Sequence, residues 1–150
     1  MTSLFLFALV SCSDKGEFQN INDAKEYFLS QEEIYEDNII NEIYTESDYV
    51  LVFESELDGT SGYALAYFRI KQDKTVYLIG STDKIAVDTT GDGRPVGTEL
   101  VINDNETVHF SIGEYAENTF NSIERDIETG VVRIDEDRQI YYVIDVEKIY

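Results

Sequence analysis

What most restricts the fold of this chain is a change of hydrophobic period near Ile39. Before it, apolar residues recur every three or four positions. After it, they come in short β-prone runs divided by turn residues. Ile39, Ile40, Ile43 and Tyr44 open the first strand, and Glu46-Ser47-Asp48 turns it. Tyr49–Phe53 is strongly β-prone. Leu57–Gly62 reads as a polar loop. Tyr63–Ile70 and Thr75–Ile79 are expected strands joined by the Lys71-Gln72-Asp73-Lys74 hairpin. Thr82–Thr98 reads mostly as loop. Glu99–Ile102 and Thr107–Ile112 flank Asn103-Asp104-Asn105, a good turn sequence. Phe120–Ile127, Val131–Ile134 and Ile140–Val146 complete the set, with turns at Glu128-Thr129-Gly130 and Asp135-Glu136-Asp137. Short strands joined by tight turns argue for an antiparallel meander.

Ahead of the strands, Asn22 is a candidate N-cap. Ala24, Tyr27, Phe28, Ile34 and Tyr35 roughly follow helical spacing. One helix, whole or broken, is expected over Asp23–Asp37. The expected class is α+β: an N-terminal helix packed on an antiparallel β-meander sheet. The chain has 150 residues, 43% of them hydrophobic, so residues 22–150 are read as one domain with a core.

Charge narrows the partners. Thirty-one acidic residues oppose 11 basic ones, for a net charge of −20. The basic residues are scattered singly, so no nucleic-acid partner is expected. The same acidity attracts cations, and it also serves plain solubility. Cys12 is the only cysteine and His109 the only histidine, which leaves neither a disulfide nor an ordinary zinc site. No Gly-x-Ser-x-Gly elbow and no phosphate-cradling glycine loop with a lysine is present.

Leu4–Val10 is an apolar run too short to cross a bilayer. It ends in Leu9-Val10-Ser11-Cys12, which resembles the lipobox of bacterial lipoproteins. The resemblance implies a signal peptide over residues 1–11, cleavage before Cys12 and a diacylglyceryl group on its sulfur. Two acyl chains suffice for stable anchoring. Met1-Thr2-Ser3 lacks the Lys or Arg that usually opens such a peptide, which is a departure from the pattern. Residues 12–21 are read as lipidated cysteine and flexible tether, with Ser13–Glu17 abruptly polar. The body, roughly Asn38–Asp145, resembles small secreted or lipid-anchored Bacillus-type proteins in which a helix precedes a β-meander. Where that group carries Gly-Trp, this chain has Val76-Tyr77. The resemblance implies no catalytic residues.

Three groups of residues are candidates for chemistry. Asp88, Thr90 and Asp92, with Gly93 and then Glu99, fall at positions 1, 3, 5, 6 and 12 of an EF-hand-like calcium loop. Thr90 replaces the usual Asp or Asn, and Pro95 occupies the apolar position. A solvated acidic loop is the plainer reading. Glu54, Glu56 and Asp58 alternate along a strand and its exit, as a carboxylate-based hydrolase would require if burial split their pKa values. Eleven tyrosines suit sheet packing, or contact with a protein or glycan. The function expected from all this is a non-enzymatic binding or accessory module. It would be extracytoplasmic and lipid-anchored to a bacterial membrane, with an envelope protein or a glycan as partner. A calcium-binding module is the alternative, and the hydrolase is third.

Overall fold

The computed structural model of the chain describes residues 16–87, 95–115 and 131–148. The elements run β1 (Glu17–Phe18), α1 (Ile21–Gln31), β2 (Ile39–Tyr44), β3 (Asp48–Leu57), β4 (Thr60–Ile70), β5 (Val76–Ser81), β6 (Val96–Asn103), β7 (Glu106–Glu114), β8 (Val131–Asp135) and β9 (Ile140–Lys148). They form two antiparallel sheets, ordered β1-β5-β4-β3-β2 and β6-β7-β9-β8.

The expected α+β class, a helix packed on one meander, is therefore corrected. The described residues are predominantly β, the strands divide between two sheets, and the one α-helix is short. The reason lies in β3 and β4, which are apolar on both faces, so that Tyr49–Phe53 and Tyr63–Phe68 are buried without a break. A sheet with such strands at its centre needs cover on both sides. One cover is α1: Ala24, Phe28 and Leu29 pack with Tyr49, Leu51, Phe53, Ala66 and Phe68. Phe28 meets Phe53 and Phe68 edge-on, at 5.4 and 6.0 Å between ring centres. The other cover is the second sheet. Its Val108, Phe110, Ile112, Tyr142 and Ile144 close on Val50, Val52, Leu65 and Tyr67. The chain changes sheets between β5 and β6. It is held there by Thr82, whose N–H donates to the Leu65 carbonyl (2.9 Å) and whose Oγ1 accepts from the Leu65 N–H (3.1 Å).

Local chemistry explains the boundaries. α1 starts earlier than expected because Asn20 is its cap: its Oδ1 accepts from the Asp23 N–H at 2.9 Å. The helix ends at Gln31. Glu33 is left-handed (φ 55°), and Ile34 folds back into the core under α1, so the expected helix over Asp23–Asp37 is broken there; Glu36–Asn38 is a separate 3₁₀ turn. Glu17–Phe18, read as tether, instead pair with Tyr77 and Val76. The expected Leu57–Gly62 loop shrinks to Asp58-Gly59, both at positive φ (50° and 78°), and Leu57 pairs with Thr60. Asp-Gly is the natural two-residue hairpin turn for that backbone. The expected strand Phe120–Ile127 lies outside the described residues.

Candidate functional site

The carboxylates of β3 lie on one face as expected, but they meet different surroundings. Glu54 accepts a hydrogen bond from the Ser61 hydroxyl (2.5 Å) and another from Arg138 Nε (3.0 Å). Ser61 first, and then Arg138, hold its carboxyl below the usual carboxylate range despite partial burial. Arg138 also binds Asp135 (2.9 Å) and the Asp37 carbonyl (3.3 Å). Glu56 is exposed, and Asp58 sits in the hairpin turn. A general acid requires a carboxyl raised toward neutrality. Glu54 is shifted the other way, as a pinned anion.

Glu54 belongs to a system of ties between layers. At the Asp48 end of β3, Arg69 of the first sheet binds Asp48 (3.1 Å) and both carboxylate oxygens of Glu106 on the second sheet (2.9 and 3.1 Å). Glu106 is only 8% exposed. Burial opposes the Arg69 charge, but the bonds to Glu106, Tyr67 and Asp48 outweigh it and hold the guanidinium firmly protonated. The Glu54–Arg138 pair joins the same two sheets nearer the β3–β4 turn. A third tie joins α1 to β2: Lys25 reaches Glu42 (3.1 Å) and Glu36 (3.2 Å). Glu42 also accepts from Tyr49 (2.7 Å) and Tyr44 (3.2 Å). Burial pushes the Glu42 carboxyl up, yet the donors reverse this and leave it lowered.

Of the expected calcium loop, Asp88, Thr90 and Asp92 lie outside the described residues. Glu99 is described, and stands on the open face of β6 with its carboxylate 3.7 Å from His109 Nδ1. His109 Nε2 contacts Glu147 at 3.0 Å, so the sole histidine bridges carboxylates from the strands on either side of β7. Cys12 also lies outside the described residues.

Two open clefts flank these ties. One, of about 480 Å³, adjoins Arg138 and Ser61. The other, of about 470 Å³, lies where three connections converge at one end of the first sheet: β1 to α1, β2 to β3, and β4 to β5. Tyr44 lines the second cleft at 56% exposure. Its ring stacks on the buried Tyr49, with centres 4.9 Å apart and planes at 25°. Neither the ties nor this cleft appeared in the sequence reading. The available signal was an arginine inside an apolar strand, Arg69, in a chain with so few cations. No family model, curated protein or solved structure matches the chain.

Proposed function

We propose that this chain is a non-enzymatic, lipid-anchored binding module on the extracytoplasmic face of a bacterial membrane, with an envelope protein or glycan as its partner. The observation that carries the reading is Leu9-Val10-Ser11-Cys12 followed directly by polar Ser13–Glu17. That order supplies an anchor and a short lead into the β1 pairing at Glu17. Among the described residues, no helix is long and apolar enough to cross a membrane, and the lipid would provide attachment by itself. The non-enzymatic part is supported by Glu54, Glu106 and Arg138, which are engaged in ties between layers rather than poised for proton transfer.

Cell fractionation of the native chain beside Cys12→Ser tests it. The native protein is expected in the membrane fraction, labelled by a fed fatty acid. The variant is expected unlabelled and released. An unlabelled native protein that stays on the membrane, or equal retention of the variant, contradicts the reading.

A further inference from the structure

We infer that the cleft at the α1 end of the first sheet binds an uncharged oligosaccharide, with Tyr44 as its stacking platform; this names a ligand class for the binding module proposed above and rests on that reading.

Tyr44 differs from the other exposed tyrosines. Tyr27, whose ring lies against Phe18, and Tyr35 are 47% and 78% exposed, and neither lines any of the described clefts. Tyr44 is held twice: one ring face lies against Tyr49, and its hydroxyl donates to Glu42. Glu42 is itself fixed by Lys25 and Tyr49. A half-exposed aromatic ring that is fixed before binding loses little conformational freedom when a ligand stacks on it. Tyrosine offers such a surface at low entropic cost, with an apolar body and a polar tip.

The rest of the cleft suits hydroxyl groups. Gln19 and Asn22 carry amides, which both donate and accept. The Thr45 hydroxyl holds the β2–β3 turn, donating to the Asp48 carbonyl and accepting from the Asp48 N–H, and is not counted. Glu46 and Lys74 set one charge of each sign at its edge, and Ile70 supplies an apolar patch. The Asn20 amide is occupied in capping α1 and is not counted. Paired donors and acceptors, balanced charge and one aromatic face match a neutral polyhydroxylated ring. They do not match an anion, which would also face a chain of net charge −20. The volume lies in the range of small-ligand sites and is wide open to solvent, as an extended chain of sugars requires.

The test is nuclear magnetic resonance titration of the chain from Cys12 onward, with that cysteine replaced by serine. The probes are the N-acetylglucosamine tetramer, cellotetraose and a mannose tetramer, each to about 10 mM. At least one is expected to shift the amides of Asn22, Tyr44 and Thr45, with saturation transfer from the Tyr44 ring to sugar protons. Tyr44→Ala and Asn22→Ala are each expected to weaken binding about tenfold, while Tyr44→Phe stays within about threefold. Amide spectra of each variant establish that it is folded. The transfer signal in the unmutated domain needs no variant at all. No shift with any of the three sugars, shifts confined to another surface, or unchanged affinity in a folded Tyr44→Ala would overturn the inference. Cys12 labelling and membrane retention are measured separately, so failure here leaves the anchoring result standing.

Discussion

At the scale of single residues, the informative side chains are those whose surroundings resist change. Glu54 has its carboxyl lowered in the folded state by Ser61 and Arg138. A carboxyl lowered on folding adds stability that is full above its unfolded pKa, near 4.3, and is lost as pH falls through the folded value. Glu54→Gln should therefore melt below the native protein at neutral pH, and the two curves should converge as the pH falls through the lowered folded value. Melting temperatures across that window check this. Tyr141 is the opposite case. It is 1% exposed, its hydroxyl has no hydrogen-bond partner among the described residues, and burial raises its pKa. An unpartnered buried hydroxyl costs about 1–3 kcal/mol. Tyr141→Phe is expected to match or exceed the native stability in urea unfolding. Gly113 lies under the same ring: a Cβ there would fall 2.5 Å from it. Gly113→Ala should cost about 1–3 kcal/mol.

At the scale of elements, the two sheets are joined by apolar contact and by two arginines from opposite sides. Arg69 belongs to the first sheet and binds Glu106 of the second, while Arg138 stands in the β8–β9 turn of the second and binds Glu54 of the first. Arg69→Ala strands Glu106 in a nearly dry site, and its expected cost is about 3 kcal/mol. Arg69→Met combined with Glu106→Leu should recover most of that loss, because an apolar pair needs no desolvated charge. Urea midpoints for the single and double variants decide it. This is also where sequence reading reaches its limit. The outer strands are legible in part. Period two marks Glu99–Ile102, but partly buried and exposed positions alternate over the whole of Val96–Asn103, so Val96–Thr98, expected as loop, belongs to β6. The two residues of β1 are too few to show a period. In β4, seven buried residues follow one another from Gly62 to Phe68. That run marks a strand between two covers, and the single-meander reading did not use it. Asn20 and Asn22 are both good cap residues, and local composition does not choose between them. Pairs such as Arg138–Glu54, 84 residues apart, have no local signature at all. The Tyr44 cleft is built from three separate turns and was invisible for the same reason.

At the scale of the whole molecule, a net charge of −20 on 150 residues dominates. Self-repulsion of that size destabilises the compact state and is screened within about 10 Å at 0.1 M salt. The melting temperature should therefore rise as sodium chloride increases from about 0.01 to 0.5 M, while the tie between Arg69 and the buried Glu106 carboxylate changes less than exposed pairs do. A fall over the same range would mean that exposed ion pairs, such as Lys25–Glu36, outweigh the repulsion. The proposed anchor acts at this scale too, because it would hold an acidic domain against the membrane through a lead of only a few residues. Its most direct test is intact mass spectrometry of the protein extracted from bacterial membranes. The reading predicts a chain that begins at Cys12 and carries a diacylglyceryl group on that sulfur. A chain that still begins ahead of Cys12, with the cysteine unmodified, would contradict it.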